Sequence, residues 1–172
     1  MGQMVEMNQV NIRRVTKNDL DGCFSVEETC FPPSEAAERE TIRLRIATFP
    51  QGFLVAELNG QLVGMLNSGC TNKEDISDEE LKKLIGHDKD GRNLVIFALA
   101  VLPEFQKQGI ARRLILRFFE EARNLKKKKI MLICKSDLIT YYERLGFKHV
   151  GISNSTHGGS TWHDMSLSVG ET

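Results

Sequence analysis

The stretch with the most chemistry in it is Ala98-Leu-Ala-Val-Leu-Pro-Glu-Phe-Gln-Lys-Gln-Gly-Ile-Ala-Arg-Arg-Leu114, an apolar run that delivers a glycine-bearing turn to a helical pattern. A helix N-terminus carries unbonded amide hydrogens and the positive end of the helix dipole, so it suits an anion such as a pyrophosphate. Gly109 lets a ligand approach the backbone, Ala111 keeps the helix start uncrowded, and Arg112 and Arg113 offer charge beside it. The same residues also suit a plain strand-to-helix connection. The Gly-Lys-Ser/Thr of a P-loop and the three-glycine dinucleotide spacing are both missing, which disfavours ATP and NAD.

Other candidates for chemistry are spread along the chain. Tyr142 is a phenol, with ordinary pKa about 10, that stays protonated at neutral pH and can donate a proton; it can equally be a packed core tyrosine. Glu35, after Pro32-Pro33, is the leading carboxylate for accepting a proton through water, with Glu28 and His163 behind it, and an ordinary first-turn glutamate as the alternative. Cys134 has no histidine nearby in sequence to activate it as a nucleophile. Phe31, Pro32, Pro33 and Phe97 would either wall an apolar acceptor pocket or belong to the core. No metal is expected, because His157 and His163 lack clustered partners.

The chain has 172 residues, 41% of them hydrophobic, which fits one domain over residues 1–172 with one core. Its 23 basic and 23 acidic residues cancel, arguing against nucleic acid or a membrane surface as partner. The start Met1-Gly2-Gln3-Met4-Val5-Glu6 lacks the pattern of a signal peptide, and Cys23, Cys30, Cys70 and Cys134 form no Cys-x-x-Cys pair, so a cytoplasmic, reducing setting is expected.

Elements that would position these residues follow from periodicity. Asn11–Val15 predicts a strand, and Thr16 with Asp19 starts a helix ending near Cys30. Ser34 caps a second helix over Glu35–Thr48. Phe53–Leu58 and Gln61–Leu66 flank Asn59-Gly60, a type I′ hairpin signal. Thr71–Arg92 reads as a long loop with a short helix, where Ser77 and Glu80 have capping-box spacing. Leu94–Leu102 predicts a strand buried on both faces, and Ile110–Leu125 a helix that the run Lys126–Lys129 closes. Ile130–Cys134 is a further strand, parallel to Leu94–Leu102 because a helix joins the two. Asp137 starts a helix that Gly146 ends, and strands follow near Phe147–Ile152 and Thr161–Leu167. The fold class is α/β: a mixed, mostly antiparallel sheet of about seven strands with helices on both faces.

Gln106-Lys-Gln-Gly-Ile-Ala111 after a buried strand resembles the acetyl-CoA motif of the GNAT acetyltransferase superfamily, and Tyr141-Tyr-Glu-Arg-Leu-Gly-Phe147 resembles its last-helix landmark. Ala98-Leu-Ala-Val101, Gln108-Gly109 and the Cys134–Tyr142 spacing are most similar to the arylalkylamine N-acetyltransferases, as is Cys30-Phe-Pro-Pro-Ser-Glu-Ala36 to bacterial members. The resemblance implies a GNAT-like fold whose parallel strand pair splays to admit pantetheine beside Leu99, Ala100 and Val101, with the Leu99 amide on the acetyl carbonyl. It also implies that the backbone from Lys107 through Gln108, Gly109, Ile110 and Ala111 to Arg112 holds the pyrophosphate of acetyl-CoA, and that Tyr142 protonates the departing thiolate. The acceptor implied is a small-molecule amine, arylalkylamine-like or a polyamine; an antibiotic, a protein N-terminus or a non-catalytic acetyl-CoA sensor are the alternatives. One departure stands out. Where the vertebrate enzymes carry two histidines before the Ala-Leu-Ala-Val run, this chain has Val95 and Phe97, so the base must lie elsewhere. A homodimer is compatible with all of this.

Overall fold

The computed structural model describes residues 9–74 and 79–170. Seven strands form one mixed sheet in the order β1-β2-β3-β4-β5-β7-β6: β1 Val10–Arg14, β2 Leu54–Leu58, β3 Gln61–Thr71, β4 Asn93–Val101, β5 Lys129–Cys134, β6 Lys148–Ile152 and β7 His163–Ser168. Helices α1 Leu20–Cys30, α2 Arg39–Thr48, α3 Ile110–Asn124 and α4 Ile139–Arg144 flank it. By packing, the chain divides into two compact units, one comprising the residues up to Ser68 with Phe97–Glu121, the other Gly69–Ile96 with the residues from Ala122 onward.

In the first unit, Thr16 and Asp19 work as expected: the Thr16 N–H donates to Asp19 Oδ2 at 2.7 Å, while Asp19 N–H bonds back to the Thr16 carbonyl at 3.0 Å. Arg13 grips the same Asp19 and also Glu57, and its hydrogen bond holds the Asp19 carboxyl below the usual range. The β2–β3 turn uses φ values of 51° at Asn59 and 81° at Gly60, the left-handed pair that a type I′ turn demands.

Two expectations are corrected here. Helix α2 starts at Arg39 rather than Glu35, because the amides of Glu35 and Ala36 both bond the Pro32 carbonyl at 2.9 Å and the Ala37 amide bonds the buried Glu27 carboxylate. Strand β3 runs on past Leu66 to Thr71. The polar residues past Leu66 stay in the strand because Asn67 and Ser68 are buried and bonded, Ser68 Oγ–H to the Gly52 carbonyl at 2.8 Å and Asn67 to Arg45.

In the second unit, β4 and β5 pair in parallel over Asn93–Val95 and Lys129–Met131, and β7 lies antiparallel between β5 and β6. Beyond Val95 and Met131 that parallel register stops, although β4 continues to Val101 and β5 to Cys134. Gly146 follows α4 at φ 105°, as a helix-ending residue should. The Ser77–Glu80 capping box rests on Ser77, which lies outside the described residues.

The start of the lysine run closes α3 through its backbone, with Lys126 left-handed at φ 58° and the Lys126 and Lys127 N–H groups donating to the Arg123 and Ala122 carbonyls at 3.0 Å, but its side chains do not all stay at the helix end. The helix ends at Asn124, Lys129 belongs to β5, and Lys127 turns inward, 8% exposed, its Nζ donating to the carbonyls of Lys89 at 2.8 Å and Gly91 at 2.6 Å. Charge-assisted bonds of this kind contribute more than neutral ones. A Lys127→Met variant, which keeps the stem and removes the donor, is therefore expected to lower unfolding free energy by roughly 2 kcal/mol in urea denaturation.

The same loop contains a pH-sensitive contact. His87 Nδ1 accepts the Cys70 N–H at 3.0 Å, which requires the neutral ring, and burial lowers its pKa from 6.5. Above pH 6.5 the ring is neutral folded or unfolded and costs nothing; below it the unfolded chain takes up a proton that the folded one resists. The urea midpoint should accordingly fall between pH 7 and pH 5.5, and a His87→Asn variant should flatten that part of the fall.

Candidate active site

Strand β4 shows a pattern unlike that of a plain core strand. Ala98 and Ala100 are each 6% exposed, whereas Phe97 and Leu99, facing the opposite way, keep partial solvent access in the middle of a sheet. The Val101 carbonyl ending the strand accepts Gln106 Nε2–H at 2.9 Å and the Cys30 thiol at 3.4 Å. Gln106 thus ties the following turn back onto the strand.

That turn is bent by left-handed residues at both ends. Lys107 has φ 63° and Gly109 φ 85°, and α3 begins immediately after, at Ile110, which is 1% exposed. Arg113 N–H makes the bond to the Gly109 carbonyl at 3.1 Å, so the amides before it open the helix, where no carbonyl within the helix can meet them. Lys107, Gly109 and Arg112 are exposed. Arg113 is reassigned: its Nη1 donates to the Val10 carbonyl at 2.9 Å, so this guanidinium fastens β1 instead of adding charge to the turn.

The other predicted first-unit residues lie in the segment joining α1 to α2. Phe31, half-buried, closes α1 through its N–H to the Glu27 carbonyl at 3.1 Å, and Pro32 and Pro33 are exposed. Glu35, half-buried, sits in the turn after Pro33 rather than in a helix. Glu28 is exposed.

Sequence reasoning missed the charged residues beneath this segment. Glu27 and Arg45 are each 3% exposed; Glu27 Oε2 accepts the Ala37 N–H at 2.9 Å, and Arg45 Nη1 donates to Asn67 Oδ1 at 3.0 Å. The Arg45 guanidinium carbon lies 4.7 Å from the centre of the Phe97 ring, a cation–π stack. Burial pulls the Arg45 pKa down to about 10, opposed by the negative charge of Glu27, which leaves it cationic at neutral pH. A signal was available. Cys23, Val26, Glu27 and Cys30 on α1, and Ile42, Arg45, Ile46 and Phe49 on α2 and its cap, share one helical spacing, so each charge occupies a place in an apolar stripe.

In the second unit, Tyr142 is 8% exposed and packs edge-on against Tyr141 and Phe147, with ring centres 5.2 and 5.6 Å away. Burial raises its phenol pKa well above the usual value, and the neighbouring Cys134 and Tyr141 add to this. The Cys134 thiol is pushed up to about 11 by burial, so it is no thiolate at neutral pH. His163 faces Cys134 in the β5–β7 register, and its Nδ1 lies 3.0 Å from His149 Nε2. Among the described residues no group of three or more His, Cys, Asp or Glu side chains is placed to hold a metal.

A family model described as acetyltransferase (GNAT) family matches residues 20–147, which takes in α1, the β4 turn and Tyr142. The chain belongs to the GNAT acetyltransferase family. Within curated proteins, this GNAT chain is 27% identical over 128 residues to "Probable hydrolase YhcX" of Bacillus subtilis, covering 70% of this chain and 25% of that protein. It is 26% identical over 161 residues to the serotonin N-acetyltransferase of Mesocricetus auratus, covering 91% and 76%. It spans 25% of YhcX and 54% of a second Bacillus subtilis relative, so it corresponds to a quarter to about half of those proteins. Among solved structures, the loading GNATL domain of CurA from Lyngbya majuscula superimposes with a TM-score of 0.82 at 18% identity, covering 93% of this chain and 98% of that one. The likeness to the CurA domain is one of fold, the GNAT-like mixed sheet that here has seven strands and a parallel β4–β5 pair.

Proposed function

We propose that the protein transfers an acetyl group from acetyl-CoA to a small primary amine by direct attack within a ternary complex. The observation that carries this is the path from β4 to α3, where the strand end is tied to the turn by Gln106 and left-handed residues at Lys107 and Gly109 lead into a helix start. The backbone of Lys107–Arg112 holds the pyrophosphate of the cofactor, and the end of β4, beyond its parallel register and with Leu99 half-buried, receives pantetheine along Leu99, Ala100 and Val101.

In this mechanism the Leu99 N–H polarises the acetyl carbonyl, and such a fixed donor is worth about 3 kcal/mol to the barrier. A neutral amine must attack. With a pKa near 10.4, an alkylammonium costs roughly 4 to 5 kcal/mol to deprotonate at pH 7, and Glu35 takes that proton through water. As the C–S bond breaks, the departing sulfur takes the proton of the Tyr142 hydroxyl. Phe31, Pro33 and Phe97 wall the acceptor, an amine with an aromatic or aliphatic body or a polyamine. We place the protein in the cytoplasm, in keeping with its four free thiols. In the described residues no helix is long and apolar enough to cross a membrane.

A thiol-release assay with acetyl-CoA and a panel of aromatic, aliphatic and polycationic amines tests this, with amine-dependent release as the expected outcome. A second reading, an acetyl-CoA sensor, draws on Val95 and on Phe97 under Arg45, which put no base at the histidine positions of similar enzymes. Tight acetyl-CoA binding with no release on any amine would establish that reading instead.

A further inference from the structure

Phe97 is half-buried on β4, and one face of its ring is covered. The covering group is Arg45, whose guanidinium carbon lies 4.7 Å from the ring centre, buried to 3% exposure and bonded to Asn67 at 3.0 Å. An aromatic ring attracts a cation to either face. Here one face is already taken by a fixed cation, so a second cation brought to the other would meet a like charge across the thickness of a ring, and the first of the two charges is itself buried. An aliphatic or aromatic body meets no such penalty. Glu27, buried alongside, offsets part of the Arg45 charge while its Oε2 holds Ala37 and hence the Phe31–Ala37 segment.

We infer that Arg45, acting through Phe97, makes the acceptor pocket select a monoamine with an uncharged apolar tail and reject polyamines of the same length. The inference rests on the reading of the protein as an amine acetyltransferase with Phe97 in its acceptor wall. Arg45 is a specificity-determining, positioning residue in this account: it touches Phe97, not the reacting atoms.

Hexylamine and 1,6-diaminohexane differ by one distal ammonium, and the ratio of their kcat/KM values isolates its effect. The unaltered protein should favour hexylamine by about tenfold or more, Arg45→Met should shrink that preference to about threefold or less, and Arg45→Lys should keep it. Glu27→Gln retains an oxygen for the Ala37 N–H while removing the offsetting charge, and should widen the preference. The KM for acetyl-CoA should not move in any variant. Should Arg45→Met fail to fold, the Glu27→Gln arm and a Phe97→Leu variant, which removes the ring but leaves the cation and should weaken hexylamine more than the diamine, decide the matter. Equal use of both amines by the unaltered protein, or a ratio indifferent to Arg45 and Glu27, overturns the inference alone. Failure to acetylate any amine overturns the functional reading beneath it, and is distinguished because it shows before any variant is made.

Discussion

Replacing Gly109 with valine raises the KM for acetyl-CoA by an expected tenfold or more while leaving the acceptor KM near its starting value. The reason is conformational. At φ 85°, Gly109 occupies backbone space that a side chain enters at a cost of about 1–2 kcal/mol, and a β-branched residue does so least readily. The turn must either bear that strain or relax, and relaxation re-aims the amides of Lys107–Arg112. Gly60, at φ 81° in the β2–β3 hairpin, supplies the control. Gly60→Val should cost similar stability and leave the acetyl-CoA KM unchanged; equal effects of the two substitutions on that KM would reduce Gly109 to a structural residue.

Removing one oxygen at Tyr142 should produce the other large effect. Tyr142→Phe keeps the edge-on contacts with Tyr141 and Phe147, so the melting temperature should change little, but kcat should fall about a hundredfold or more if the phenol protonates the thiolate. The pH profile gives an independent reading. Because burial lifts this phenol above its ordinary value of 10, it stays protonated through the alkaline range, and kcat should show no loss from its ionisation as pH approaches 10. A variant retaining full kcat would remove Tyr142 from the mechanism.

How much of this was legible in the residues depended on whether the controlling force was local. Asn59-Gly60, Gly146 and the apolar run of β4 each state a requirement satisfied within a few residues, and the structure places the turn, the helix end and the strand as read, although Phe97 and Leu99 leave one face of β4 less buried than expected. The start of α2 was not legible, since Ser34 is an acceptable cap and only the bond between Ala37 and a carboxylate ten residues earlier holds that segment out of the helix. The full length of β3 was not legible either, since the apolar pattern stops at Leu66 and only Arg45 and Gly52, distant in sequence, satisfy the buried Asn67 and Ser68. Lys127 belongs to the same group: four consecutive lysines look like charge gathered at a helix end, and only the carbonyls of Lys89 and Gly91 account for one of them being buried. For the candidate site, the β4–α3 turn lies in one continuous stretch, so its glycine bend ahead of a helix could be read, whereas the Glu27–Arg45–Phe97 group is assembled from α1, α2 and β4. Its only local trace is a charge inside each apolar stripe.

The claim under everything else is that coenzyme A is held by main-chain amides between Lys107 and Arg112. Titrating the isotope-labelled protein with coenzyme A and following each backbone amide by NMR tests it directly. The account predicts the largest shifts at Lys107, Gln108, Gly109, Ile110, Ala111 and Arg112. Saturable binding that leaves those six signals still while others move would contradict it.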